Sequence, residues 1–239
     1  MSQYFTAPTG AVYGPKELQL LTELYRAGFI AWKPEGVEFK SGKRSRTYVR
    51  GRQELTNAPH LLAELGARIG AFVRERIPVA DGRQHCLIGV PTAGTKLAAA
   101  ASLHSYYARQ RPSIIWRELR TKPKPHGEDK GWTVGGPEPQ HDVYVVVEQA
   151  MSTASSIIEY AGHLAEDGYS PREMHYLVLV DRELGGIENL RAEGYVNLHR
   201  MFILRDFVAA LVHLGHWPRE RYDELVSEIE LDKHERRAA

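Results

Sequence analysis

Five apolar runs, at 86–90, 113–117, 143–147, 174–180 and 196–203, punctuate the sequence, and helical stretches at 94–109, 153–167 and 184–193 fill most of the gaps between them. This alternation constrains the fold more than any other feature. A short run that is apolar at every position has no wet face, so it fits a strand covered on both sides. Strands of that kind, separated by helices, build a central, mainly parallel sheet flanked by helices, an α/β fold. Open parallel sheets bind ligands beyond the carboxyl ends of their strands. The loops that follow the runs are therefore where function is sought.

The rest of the chain frames this core. Residues 1–14 show little periodicity and read as an arm. In PKELQLLTELYRAGFI, Leu18, Leu21, Leu24 and Tyr25 recur at helical spacing, with Pro15 near the first turn. VEFKSGKRSRTYVRG reads as two short strands around Ser41-Gly42. An amphipathic helix follows, with Leu61, Leu62, Leu65, Ile69, Phe72 and Val73 on one side. From Leu204 the sequence reads as helical, with a break at Trp217-Pro218. The segment 118–140, ELRTKPKPHGEDKGWTVGGPEPQ, is polar, rich in Gly and Pro, and too long for an ordinary connection; such loops are functional lids or disordered segments.

Composition narrows the function classes. With 239 residues, 43% hydrophobic and 26% charged, the chain has the make-up of a soluble globular protein with a substantial core. A net charge of +1 provides no global field for nucleic acid or acidic membranes. The single cysteine, Cys86, allows no internal disulfide, and its apolar neighbours suit a small buried thiol. No apolar run approaches the ~20 residues of a membrane span. MSQYFTAPTG lacks the charged and apolar regions of a signal peptide. The expectation is a cytoplasmic protein with neither nucleic acid nor membrane as a partner.

Three loops could carry chemistry. In GVPTAGTKLA, Thr92, Ala93, Gly94 and Thr95 could let backbone N–H groups approach a pyrophosphate, and a plain tight turn fits equally well. In VYVVVEQAMSTASS, Ser152, Thr153, Ser155 and Ser156 lie where a helix would start. Hydroxyls and free N–H groups there can surround a phosphate, aided by the helix dipole. A helix N-cap would also suit Ser or Thr, but four hydroxyls in five positions favour phosphate. Glu148, at the strand's end, could bind sugar hydroxyls or stay a solvated acid. In the long loop, Arg120, Lys122, Lys124, His126 and Lys130 place cationic groups that could close over a polyanion. Composition alone fits a solvated loop better. Arg182, after the strand in VDRELGG, could pair with a carboxylate through both guanidinium arms or form a surface ion pair. The eleven histidines show no metal-ligand spacing.

Taken together and in order, FKSGKRSRTY (39–48), GVPTAGTKLA (89–98), RTKPKPHG (120–127), VVVEQAMSTASS (145–156) and DRELGGIENL (181–190) make the chain resemble the orotate phosphoribosyltransferases over about residues 15 to 215. The resemblance implies a type I phosphoribosyltransferase fold with a small N-terminal hood. It implies a single domain over 1–239: arm and hood over about 1–55, core over about 56–215 and C-terminal helix over about 216–239. It further implies transfer of phosphoribosyl from phosphoribosyl pyrophosphate to orotate, giving orotidine 5′-monophosphate and pyrophosphate for pyrimidine biosynthesis. The family works with magnesium (Mg2+) brought by the substrate and usually forms homodimers whose basic loop reaches the partner's site. By position, Ser152, Thr153, Ala154, Ser155 and Ser156 would hold the 5′-phosphate, Glu148 and its neighbour Gln149 would face the ribose, and Thr92, Gly94 and Thr95 would meet the pyrophosphate. Lys40 and Arg182 would lie near orotate, and Arg120, Lys124 and His126 would address the pyrophosphate.

The chain also departs from the family pattern. Gln149 stands where a second acid is usual, Ala154 where a glycine is, Thr121 where the lid has Lys, and Ala93 where Lys often stands. Pro123 and Pro125 would stiffen the lid. Three of these changes remove charge from the reacting centre. The alternative they raise is a non-catalytic homologue that binds phosphoribosyl pyrophosphate or a nucleotide as a sensor.

Overall fold

The computed structural model describes residues 4–39, 42–80, 82–128 and 130–238. Lys40, expected near the base, lies outside the described residues.

Strands β1 (Phe5–Thr6) and β2 (Val12–Tyr13) pair antiparallel. Helix α1 (Pro15–Arg26) follows and buries Leu18, Leu20, Leu21 and Leu24, the face its spacing predicts. Next come β3 (Ile30–Glu38) and β4 (Arg44–Val49), an antiparallel pair that forms the hood. β3 starts well upstream of the expected strand. Its ladder with β4 is interrupted between Trp32 and Val37, where Pro34 cannot donate and Gly36 has a positive φ of 70°. The short α2 (Glu54–Asn57) and the amphipathic α3 (Pro59–Arg76) lead into the core.

The core then alternates: β5 (Gln84–Gly89), α4 (Ala93–Tyr107), β6 (Ile115–Arg117), the pair β7 (Leu119–Lys124) and β8 (Gly131–Thr133), β9 (Asp142–Met151), α5 (Ser155–Glu166), β10 (His175–Asp181), α6 (Gly186–Ala192) and β11 (Leu198–Ile203). The chain ends in α7 (Leu204–His213) and α8 (Arg219–Ala238), divided at Trp217-Pro218. Among the described residues, five strands form one parallel sheet in the order β11-β10-β9-β5-β6. One face, with Val145, Val147, Leu177 and Leu179, is covered by α1, α3, α4 and α7. The other, with Cys86, Ile88, Val146 and Val178, is covered by α5 and α6. Burial raises the Cys86 thiol to about 12, so it is an inert core residue.

This strand order reverses direction between β5 and β9. The chain runs outward from β5 to β6, then returns to add β9, β10 and β11 on the other side. Neighbouring loops diverge at such a switch point and leave a crevice. In register, Gly89 lies beside Val147, and Met151 beside Asp181, so the loops after β5, β9 and β10 open on one edge.

α8 lies against the hood. Its Glu228 accepts hydrogen bonds from Ser45 Oγ (2.6 Å) and the Arg46 amide (3.1 Å), and its Glu224 accepts one from Trp32 Nε1 (2.8 Å). Asp232 pairs with Lys43 of the hood and with Arg236. Among the described residues no helix is long and apolar enough to cross a membrane.

Candidate active site

The loop after β9 turns into α5 at Ala154. Its φ and ψ are 63° and 12°, in the left-handed region, where an L residue costs about 1–2 kcal/mol. The alanine thus takes the conformation for which glycine is the usual choice. Its methyl group is buried in the cluster with Met151 and Ile157. No side chain caps α5. The first amides of the helix and the hydroxyls of Ser152, Thr153, Ser155 and Ser156 therefore border a cavity of about 240 Å³ without being tied up as caps. The loop is braced from behind. Asn189 Nδ2 of α6 donates to the Thr153 carbonyl (3.0 Å). A Cβ on Gly186 would sit 2.6 Å from Met151 Cγ, so α6 can approach this closely only with glycine there.

Glu148 and Gln149 are adjacent on β9, and both border a cavity of about 500 Å³. Glu148 also lines the phosphate-loop cavity. Burial raises its carboxyl to about 7, against the pull of the Gln149 and Ala150 amides and of the Arg52 and Arg182 charges. The Gln149 amide donates to Glu148 Oε1 at 2.7 Å. The Gln149 side chain is buried and pressed against the hood's exit: a Cβ on Gly51 would fall 2.1 Å from its Nε2. Gly51 is glycine because Gln149 occupies the space of any side chain there.

Arg182 is the most constrained cation of the site. Its amide donates to the Met151 carbonyl (3.0 Å), which fixes the start of the β10–α6 loop on the phosphate-loop strand. Its guanidinium lies 4.1 Å from the Phe39 ring centroid and 5.4 Å from that of Tyr48. One arm donates to the Val49 carbonyl (3.3 Å), while buried Nε has no partner. Desolvation lowers its pKa to about 10, so it stays charged at neutral pH. It borders the phosphate-loop cavity, the 500 Å³ cavity and a third of about 330 Å³ under α8. A buried guanidinium with an unsatisfied donor matches an incoming carboxylate.

The loop after β5 serves packing as much as binding. A Cβ on Gly94 would meet the Val147 carbonyl oxygen at 2.2 Å, and one on Gly89 would meet Gly94 at 2.3 Å. These glycines let α4 start directly against β9. Thr95 Oγ1 donates to the Gly89 carbonyl (3.3 Å), and the Gly94 amide to Val90. Pro91 and Ala93, rather than Thr92, Gly94 or Thr95, line the 500 Å³ cavity.

The segment 118–140 contains an antiparallel pair, β7 with β8. Arg120 donates to the Gly131 (3.0 Å) and Thr133 (2.9 Å) carbonyls, so it holds the hairpin together. Asp167, just beyond α5, accepts from the Trp132 amide (2.9 Å), the Thr133 amide (2.6 Å) and Thr133 Oγ1 (2.7 Å). Trp132 stacks on His163 at 3.5 Å. The hairpin is thus docked on the carboxyl end of α5, while the phosphate loop is at its amino end. Twelve residues of α-helix separate them by about 18 Å. Within one chain, Lys124 and His126 are not brought to the phosphate loop.

Phe39, Tyr48, Gly51 and Arg52 are site residues that the sequence alone does not single out. Phe39 and Tyr48 lie in the FKSGKRSRTY stretch, but only the fold puts Arg182 over their rings. Arg52 carries no spacing signal, and it enters because the end of the hood abuts the end of β9.

Comparisons with known proteins agree with this geometry. No family model matches the chain. Over 195 residues it is 29% identical to an orotate phosphoribosyltransferase of Thermosynechococcus vestitus, covering 80% of this chain and 90% of the relative. In fold it is similar to the orotate phosphoribosyltransferase of Aeropyrum pernix, with a TM-score of 0.55 and 24% identity, covering 82% of this chain and 98% of that one. It is also similar to the UMP synthase of Leishmania donovani, with a TM-score of 0.70 and 18% identity over 90% of this chain; it spans 42% of that longer protein.

Proposed function

We propose that this chain is a member of the orotate phosphoribosyltransferase family and transfers the phosphoribosyl group of phosphoribosyl pyrophosphate to orotate. The observation that carries the reading is Arg182, a buried guanidinium with an unpartnered Nε, set beside a phosphate-type loop and an acid at a strand end. The α5 amides and the hydroxyls of Ser152, Thr153, Ser155 and Ser156 hold the 5′-phosphate. Glu148 accepts hydrogen bonds from the ribose hydroxyls. Arg182 orients orotate through its carboxylate, with Phe39 and Tyr48 behind the guanidinium. Catalysis of such a transfer through an oxocarbenium-like state is mainly positioning and charge stabilisation.

Among the described residues no cluster of three or more His, Cys, Asp or Glu side chains could hold a metal. With Gln149 neutral, Glu148 is the lone carboxyl at this strand end. These residues fit magnesium carried on the substrate's pyrophosphate, where it would neutralise charge, with the protein holding the organic part. The exposed hairpin, at the far end of α5, supports a homodimer in which Lys124 and His126 serve the partner's site.

Calorimetry with phosphoribosyl pyrophosphate and orotate, followed by a turnover assay on the same sample, tests the reading. Binding of both with orotate-dependent release of pyrophosphate is expected. Binding without turnover at high protein concentration would favour a second reading, a non-catalytic sensor, for which neutral Gln149 is the specific observation. No binding of either compound would refute both.

A further inference from the structure

Within one chain, cations are scarce where the pyrophosphate would depart. Arg120 is committed to hairpin carbonyls, Lys124 and His126 are at the other end of α5, and Thr121 and Ala93 are neutral. Arg50 is paired with Glu54 at 2.9 Å. Arg182 is buried over aromatic rings on the base side.

Arg52 differs from all of these. It lines both the phosphate-loop cavity and the 500 Å³ cavity that extends to Pro91 and Ala93. Its side chain is exposed, and among the described residues its guanidinium forms neither a hydrogen bond nor an ion pair. Its backbone, by contrast, is tied down: Lys96 Nζ of α4 bonds to the Arg52 carbonyl and to Thr56 Oγ1 (2.9 Å). A fixed backbone and an uncommitted guanidinium at the seam of two cavities suit an anion that passes from one to the other. The charge already acts across the seam, pulling the Glu148 carboxyl downward against its burial.

We propose that Arg52 is a catalytic residue that binds the pyrophosphate of the substrate from within the same chain. This rests on the phosphoribosyltransferase reading. In the transfer, the bond from the anomeric carbon to the pyrophosphate oxygen breaks and its electron pair leaves with that oxygen. The orotate ring nitrogen supplies the pair for the new bond, and its proton passes to water. Arg52 donates to pyrophosphate oxygens as their charge grows, through a planar fork that Lys cannot reproduce.

The test compares R52M, R52K and R52Q with wild type. Calorimetry uses inorganic pyrophosphate with magnesium in one arm and orotidine 5′-monophosphate in the other, and turnover is measured with both substrates. R52M and R52Q should weaken pyrophosphate about tenfold or more and lower kcat by about 100-fold, leaving the monophosphate within about twofold. R52K should recover part of the pyrophosphate affinity and less of kcat. If wild type binds both ligands and the variants bind pyrophosphate equally well, Arg52 has no such role and the family reading stands. If wild type binds neither, that reading fails and this proposal falls with it. Because the side chain is exposed, melting temperatures of the variants should match wild type, which separates lost chemistry from lost fold.

Discussion

A carboxyl that titrates near neutrality gives the site a pH signature. Glu148, raised to about 7 by burial, is half protonated at neutral pH, and the proposed role at the ribose calls for its ionised form, which accepts through both oxygens. We expect kcat/KM to rise with pH through about 7 and E148Q to lose that limb, measured as a pH–rate profile. The stability effect has the opposite sense. The folded pKa lies above the ordinary 4.5, so the stability linked to the bound proton is complete below about 4.5 and lost as pH rises through about 7. E148Q should therefore gain melting temperature relative to wild type above neutral pH. An equal shift at pH 5 and pH 8 would contradict this. Ala154 offers a second test. Relief of its left-handed strain in A154G outweighs the added chain entropy of glycine, so urea denaturation should show a gain of about 0.5–1 kcal/mol. A loss would mean that the buried methyl group contributes more than the strain.

Among the elements, the hairpin β7–β8 depends on few contacts. Its strand LRTKPK exposes Thr121, Lys122, Pro123 and Lys124, and its register with β8 is irregular between Leu119 and Lys124. Asp167 therefore carries much of its attachment. D167A leaves the Trp132 and Thr133 amides without their acceptor, at about 1.5–3 kcal/mol for a charged bond. We expect faster amide exchange and proteolysis in 119–133, with the five-stranded sheet as protected as before; uniform loss of protection would show a global effect instead. The same hairpin marks where sequence legibility ends. The parallel strands are readable because β9 and β10 are apolar on both faces, and the α1 and α3 stripes because their leucines recur at helical spacing. Pro123 within LRTKPK and Pro125 just after it argue against a strand, and the acceptor that fixes the hairpin comes from beyond α5, a partner no local pattern reveals. β3 is foreshortened in the sequence for a similar reason, since Pro34 and Gly36 interrupt its pattern while β4 still pairs with both halves.

At the scale of the molecule, the switch point between β5 and β9 gathers the loops whose residues are legible one by one. The loop proposed to hold phosphate stands out in the sequence because four hydroxyls at a helix start exceed what capping a helix needs. Arg52 does not, because its role depends on the hood meeting the sheet, and the same contact accounts for Gly51 opposite Gln149. α5 adds a consequence of its own. A rigid helix with the proposed phosphate loop at one end and the basic hairpin docked at the other cannot bring its two ends together, so in the proposed dimer each working centre draws on two copies of the chain. Two inactive variants should then rescue each other. R182M and the double variant K124A/H126A, each defective alone, should on mixing and subunit exchange recover about a quarter of wild-type activity, since half the dimers are mixed and each carries one intact centre. A mixture that stays inactive after exchange would mean that each chain works by itself.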